Sequence, residues 1–149
     1  MAPRSLTPRI TSVFRWLPEV EADLLVLPWF EGEGTAAFAE LDRAAAGELA
    51  RALSSGEFTG RSFEVFVTPL VDQAWKTGRV ALVGAGKEAA FSPGVARRVA
   101  ATAALAARQR RAARLAFVLR PGLGTPSGDY DVAGFAQAKA LNTSYNDRP

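Results

Sequence analysis

A chain of 149 residues suits a single domain, and 48% hydrophobic with 22% charged residues is typical of a globular protein with a substantial core. The absence of cysteine and histidine excludes disulfides, thiolate nucleophiles, the commonest zinc ligand and the commonest general base at neutral pH. No stretch has the ~20 apolar residues of a membrane span, and no apolar run follows the arginines near the N-terminus, so we expect a cytoplasmic protein.

The net charge of +3 hides an asymmetry along the sequence. Between Glu88 and Asp129 there is no acid, and seven arginines give this segment a charge of +7, which leaves −4 for the rest of the chain. Those arginines are Arg97, Arg98, Arg108, Arg110, Arg111, Arg114 and Arg120. A solvated helix face and a surface facing anions or nucleic acid both fit this pattern.

The first part of the chain predicts two strands followed by a long helix. Residues 9–16 alternate loosely between polar and apolar, and residues 23–28 form a short apolar run typical of a strand buried on both faces. A glycine-containing loop is predicted over 29–35. Thr35 can cap a helix, and apolar residues then recur at helical spacing, which predicts one amphipathic helix of about five turns ending near Gly56.

The second part predicts further strands on either side of an alanine-rich helix. Strands are expected at 63–68, 79–83 and 115–119, and a helix is expected over 93–111 because Ser92 can cap it and Pro93 suits its first position. The sequence also predicts a loop over 121–129, a weak final helix over 131–141 and a frayed tail over 142–149. Strands alternating with helices predict an α/β fold, with a mostly parallel or mixed sheet and helices on both faces.

A glycine motif follows the strand at 79–83. Residues 83–89, Val-Gly-Ala-Gly-Lys-Glu-Ala, satisfy the looser form of the dinucleotide-binding fingerprint. That chemistry needs a helix that begins within the glycine turn, whereas Ser92 places the helix start several residues later. Arg120 replaces the expected ribose-binding acid, although an arginine suits a 2′-phosphate. Close approach of another backbone segment is the structural alternative for the glycines, and Glu88 after Lys87 excludes a P-loop.

The remaining polar residues suggest no reaction centre. The acids Glu31, Glu33, Glu40 and Asp42 lack the spacing of a calcium loop, and the serines have no histidine to activate them. We therefore assign no catalytic, cofactor-binding or metal-ligating residue. The candidate site is a basic patch on the alanine-rich helix, which would bind nucleic acid through phosphate contacts. It comprises Arg97, Arg98, Arg108, Arg110 and Arg111.

The order of these features resembles the N-terminal domain of the leucine aminopeptidase (cytosol aminopeptidase) family of two-metal peptidases. The resemblance runs from about Ile10 to Leu119 and rests on three pieces. These are Ala-Asp-Leu-Leu-Val-Leu-Pro at 22–28, Phe-Thr-Gly-Arg at 58–61, and Arg-Val-Ala-Leu-Val-Gly-Ala-Gly-Lys at 79–87 before an Arg/Ala-rich helix.

The resemblance implies a macro-domain-like, three-layer α/β/α sandwich that performs no chemistry itself. It implies an accessory domain over 1–141 and a tail or linker over 142–149, with zinc or manganese bound in a separate catalytic domain. The implied partners are that catalytic domain and neighbouring subunits of a homo-oligomer, a hexamer in the family. Some family members bind DNA through this region, and a macro-like fold can host a nucleotide or ADP-ribose, although Pro28 and Trp29 replace the asparagines of true macro domains.

Overall fold

The computed structural model describes residues 9–14, 16–118 and 139–144, and over these residues it contains six strands and three α-helices. The strands are β1 (Arg9–Phe14), β2 (Leu24–Phe30), β3 (Val65–Pro69), β4 (Arg79–Gly86), β5 (Arg114–Val118) and β6 (Lys139–Ser144). The helices are α1 (Ala39–Ala44), α2 (Glu48–Ser55) and α3 (Pro93–Gln109).

The six strands form one mixed sheet in the order β1-β6-β5-β2-β4-β3. Strand β2 runs parallel to β4 on one side and to β5 on the other. Strand β3 is antiparallel to β4, and β6 is antiparallel to both β5 and β1. The prediction of a mixed α/β sheet is therefore confirmed.

Both faces of the central strands are buried, as the apolar runs predicted. Alternate side chains point to opposite faces of a strand. Leu25 and Leu27 of β2 therefore join the core beneath α1 and α2, whereas Leu24 and Val26 join the core beneath α3. The molecule thus has helices on both faces of the sheet, which confirms the three-layer α/β/α architecture.

Proline is unusual inside a central strand because it has no backbone N–H to donate to a neighbour. In β2, Pro28 lies opposite Val83 of β4. The described pairs between β2 and β5 end at Val26, two residues before this proline. Trp29 and Phe30 continue the strand and are buried, so the predicted loop begins two residues later than expected.

The prediction of a single long helix after Thr35 is wrong, because the chain breaks that helix into α1 and α2. Thr35 makes no side-chain capping hydrogen bond and precedes a short 3₁₀ turn. Ala46 and Gly47 adopt left-handed conformations with φ of 57° and 78°, which a continuous helix cannot contain. The carboxylate Oδ1 of Asp42 accepts a hydrogen bond from the amide of Ala50 at 3.1 Å and so caps α2 from a distance.

Helix α3 begins as predicted. The hydroxyl of Ser92 accepts a hydrogen bond from the amide of Val95 at 3.2 Å, and Pro93 occupies the first helical position. The buried side of the helix consists of Val99 and three alanines, Ala103, Ala106 and Ala107, which allow close packing on the sheet.

The carboxyl end of α3 is closed by a left-handed residue, Arg111, with a φ of 54°. The amide of Ala112 donates to the carbonyl of Ala107 at 2.9 Å, and the amide of Arg111 donates to that of Arg108 at 3.1 Å. This pair of bonds is a Schellman motif, in which glycine usually occupies the left-handed position. The helix therefore stops at Gln109, two residues short of the predicted end.

The predicted final helix and tail are contradicted where the structure describes them. Residues 139–144 form β6, which pairs with β5 and β1 on its two sides. Hydrogen bonding to two neighbouring strands outweighs the weak helical preference of these residues. The prediction missed this pairing because local sequence preferences contain no information on distant strands. The predicted loop at 121–129 and the rest of the helix and tail, 131–138 and 145–149, lie outside the described residues.

We predict that Asp42→Ala lowers the free energy of unfolding by about 1 kcal/mol, because the amide of Ala50 loses its capping acceptor. Urea unfolding followed by circular dichroism measures this difference. The control is Glu40→Ala, which removes an exposed acid from the same helix and should change the free energy by less than about 0.5 kcal/mol. Equal losses in the two variants would contradict the capping role.

Candidate functional site

The two glycines of the motif, Gly84 and Gly86, lie within strand β4 and are covered by another segment of the chain. The amide of Gly84 donates to the carbonyl of Glu64 at 2.8 Å, and the carbonyl of Gly84 accepts from the amide of Phe63 at 2.8 Å. The amide of Gly86 donates to the carbonyl of Gly60 at 2.9 Å. The segment between α2 and β3 thus engages both backbone groups of Gly84 and the amide of Gly86, and the carbonyl of Gly86 accepts from the amide of Glu31 at 3.0 Å.

The packing of this segment explains why position 84 requires glycine. A β-carbon placed on Gly84 would lie 1.8 Å from the carbonyl oxygen of Arg61, far inside van der Waals contact. Close approach of another backbone, the structural alternative drawn from the sequence, is therefore confirmed. The dinucleotide interpretation is not supported, because a 3₁₀ turn at Glu88–Ala90 separates the glycines from α3, which starts at Pro93.

The carboxylate of Glu64, here termed the carboxylate clasp, holds together the segment that covers the two glycines. The two carboxylate oxygens of Glu64 accept hydrogen bonds from Thr59, from its hydroxyl at 2.5 Å and from its amide at 3.0 Å. Burial alone raises the pKa of Glu64, but the bonds from Thr59 and the charge of Arg61 outweigh that effect and lower the pKa below its ordinary value. The ionised carboxylate is therefore the form that stabilises the segment.

The acidic residues singled out from the sequence have separate structural tasks. The carboxylate of Glu33 accepts from the amide of Phe30 at 3.2 Å, and the carbonyl of Glu33 accepts from the indole of Trp29 at 3.0 Å. Asp42 caps α2, while Glu31 and Glu40 are exposed. Within the described ranges, no group of three or more acidic, cysteine or histidine side chains is arranged to hold a metal ion, so these residues do not fit the family's metals.

Helix α3 presents most of the predicted basic patch to solvent. Arg97, Arg98 and Arg108 are exposed. Arg97 and Arg108 are eleven residues apart, which is about three helical turns or ~16 Å on the same side of the helix. Arg111 is exposed just beyond the helix end. Among the described residues, Arg51 forms ion pairs with acidic side chains, whereas the arginines of α3 form none.

Arg110 departs from the predicted patch, because it is half-buried and turned toward the helix end. Its guanidinium donates to the carbonyl of Ala106 at 3.3 Å. Its own carbonyl accepts from the guanidinium of Arg79, at the start of β4, at 3.2 Å. These two cations stabilise the partial negative charge at the carboxyl end of α3.

Two features of this surface were missed by sequence reasoning. Arg79 joins the basic group from a distant strand, which only the sheet order reveals. Leu105 lies between Arg97 and Arg108 on α3 and is 54% exposed, a large fraction for an aliphatic side chain. Its position on the outer side of the helical pattern could have signalled it. No helix among the described residues is long and apolar enough to cross a membrane.

Comparison with known proteins relates most of the chain to one family. Residues 26–148 match the sequence profile described as the cytosol aminopeptidase family, N-terminal domain. No curated protein matches the chain.

The solved structures that are similar to the chain include the following two. One is a mutant of tomato leucine aminopeptidase, with 24% identity and a TM-score of 0.57 over 75% of this chain and 22% of that one, so the two share a fold. The chain thus spans less than a quarter of the length of the tomato enzyme. The other is the macrodomain of Mycobacterium tuberculosis DarG, with 19% identity and a TM-score of 0.49 over 81% of this chain and 80% of that one.

We predict that Gly84→Ala lowers the free energy of unfolding by about 2 kcal/mol or more, because the added methyl group overlaps the Arg61 carbonyl and forces the covering segment off β4. Denaturant unfolding measures the loss. Gly34→Ala is the matched control, since its β-carbon meets no atom within 4 Å, and it should change stability by less than about 0.5 kcal/mol. A near-neutral Gly84→Ala would show that the segment is loosely held.

We also predict that Glu64→Gln destabilises the protein at neutral pH and that this effect fades in acid. The folded state lowers the pKa of Glu64, so its contribution is complete well above the ordinary value of 4.5 and is lost as the pH falls through 4.5 toward the folded pKa. Unfolding free energies of both proteins between neutral and acidic pH test this. The control is Glu88→Gln, which lies at the same end of the sheet and should show no such pH-dependent loss. An effect of Glu64→Gln that does not depend on pH would contradict the stabilising role of the ionised Glu64 carboxylate.

Proposed function

Because this chain belongs to the cytosol aminopeptidase family through that family's N-terminal domain, we propose that it is the non-catalytic accessory domain of a two-metal leucyl aminopeptidase. The observation that carries the proposal is the family match over residues 26–148. The amino-acid composition supports it, because a chain without histidine or cysteine lacks the usual side chains for zinc ligation and for general base catalysis.

In this proposal the domain serves packing and assembly. It lies beside the catalytic domain, which holds the zinc or manganese ions, and contacts neighbouring subunits of a cytoplasmic homo-oligomer, a hexamer. The three-layer fold supports this role, because both faces of its central strands are covered by the chain's own helices. Partners would therefore bind the outer surfaces of the helices and loops. The proposed domain extends over residues 1–141, or to Ser144 when all of β6 is included.

The nucleotide alternative receives less support than the accessory role. The motif that suggested it is covered by residues 60–64, and the helix that would face a phosphate begins beyond it. DNA binding by α3 stays a prediction that rests on exposed arginines alone.

We predict that the purified chain associates with a leucine aminopeptidase catalytic domain from which the N-terminal domain has been removed. Co-elution in size-exclusion chromatography measures association, and the intact enzyme, whose docking surface is already covered, is the control that should not bind. The chain alone should release no leucine from a chromogenic amide in the presence of zinc or manganese. Metal-dependent release by the chain alone would overturn the non-catalytic role, and failure to co-elute would overturn the accessory role.

A further inference from the structure

The side of α3 that is turned away from the sheet combines arginines with an exposed leucine. Each residue advances by about 100° around an α-helix, so the residues that pack on the sheet lie on one side and a second set lies opposite them. The packed residues are Val99, Ala103, Ala106 and Ala107. The opposite set falls within a sector of about 100° and is here termed the arginine face. It comprises Arg97, Arg98, Ala101, Leu105 and Arg108.

The arginine face has an apolar centre between two positive ends. Arg97 and Arg98 form one end, and Arg108 forms the other about 16 Å away along the helix axis. Between them lie the exposed Ala101 and Leu105, and Leu105 is 54% exposed. Apolar side chains that are exposed and surrounded by charged residues are typical of interaction sites. The face is therefore suited to a partner that offers both negative charge and an apolar group.

The positive charge of the arginine face is in excess over the acids that adjoin α3. Among the described residues, no acid occurs within α3 and its arginines form no ion pair. Two acids adjoin the helix beyond its ends. Glu88 lies in the 3₁₀ turn before α3 and follows Lys87. The carboxylate of Asp23 accepts hydrogen bonds from the amides of Ala113 and Arg114 at 2.9 and 2.8 Å, so it is engaged at the start of β5.

The leucine distinguishes a protein partner from nucleic acid. Phosphate contacts would satisfy the arginines, but they bury no apolar group and would leave Leu105 against a charged backbone. A helix with acidic residues about three turns apart and apolar residues between them would pair with both ends of the face and cover the leucine at once. The small side chain of Ala101 allows such a helix to approach closely.

The composition of the face also indicates how long such a contact lasts. Permanent interfaces are more apolar, and their centres are depleted in charged residues. On α3 a single leucine is set among three arginines, which fits an interface that forms and dissociates under electrostatic steering. We propose that the arginine face binds an acidic amphipathic helix of a separate partner protein. This inference goes beyond the accessory role and does not rest on it.

Fluorescence anisotropy of a labelled peptide mixed with the full chain tests the inference. The probe is a helical peptide of about 18 residues that carries leucine and alanine on one side, with glutamates about three turns apart at the two ends of that side. The reference peptide has the same composition in scrambled order. We expect the amphipathic peptide to bind at least about tenfold more tightly, and added salt to weaken its binding. Equal affinities would show that the face responds to charge alone and would exclude the proposal.

Two variants separate the apolar centre of the face from its charge. Leu105→Ala keeps a good helix former in α3 and should raise the Kd of the amphipathic peptide at least about fivefold, because a buried side chain is lost. Arg97→Glu should raise it at least about tenfold. Arg43→Glu makes the same change on α1, on the other side of the sheet, and should leave the Kd unchanged. An unchanged Kd in a folded Leu105→Ala or Arg97→Glu variant would refute the inference.

Two other occupants of the arginine face are distinguished by competition. Duplex DNA that binds more tightly than the peptide at the same salt concentration, with an affinity that Leu105→Ala does not change, would assign the face to nucleic acid. A leucine aminopeptidase catalytic domain without its N-terminal domain that displaces the peptide would assign the face to the contact between domains. Either result would overturn the inference, whereas a peptide that stays bound in the presence of both supports a separate partner.

Discussion

Strand β2 is buried along its whole length, and β4 is buried at every position except its first. Such strands cannot face water on either side, so the chain must supply a helical layer for each face of the sheet. Helices α1 and α2 cover one face, and α3 covers the other. This requirement places α1 and α2 on one side of the sheet and α3 on the other.

The strand predictions were confirmed where burial of both faces requires a continuous run of apolar residues. The apolar runs of β2 and β4 and the Ser92-Pro93 helix start were correctly identified because their physical causes are local. The break between α1 and α2 was missed because apolar residues keep helical spacing across it, from Leu41 to Leu49. Nothing in that periodicity reveals the left-handed Ala46. Strand β6 was missed because its stabilisation comes from neighbours more than twenty residues away.

The candidate site was predictable in composition and less so in arrangement. The glycines of β4 match the residue spacing of a dinucleotide-binding motif. The late start of the next helix correctly indicated that this motif does not bind a phosphate. The partner of those glycines, the carbonyl of Arg61, could not be identified from sequence, since it approaches from the loop before β3. The arginines of α3 were identified as a group, but their division into exposed side chains and the inward-turned Arg110 depends on where the helix ends.

The proline in the middle of β2 has a consequence during synthesis. The apolar segment Leu24–Phe30 leaves the ribosome roughly fifty residues before β4, the first of its two lateral partners, and in that interval it resembles an aggregation-prone strand. Pro28 has no amide hydrogen, so a foreign strand cannot complete a continuous hydrogen-bonded ladder along it. The native sheet accommodates this gap because the described pairs with β5 stop at Val26. The same residue therefore disfavours continuous strand pairing between nascent chains along this apolar segment.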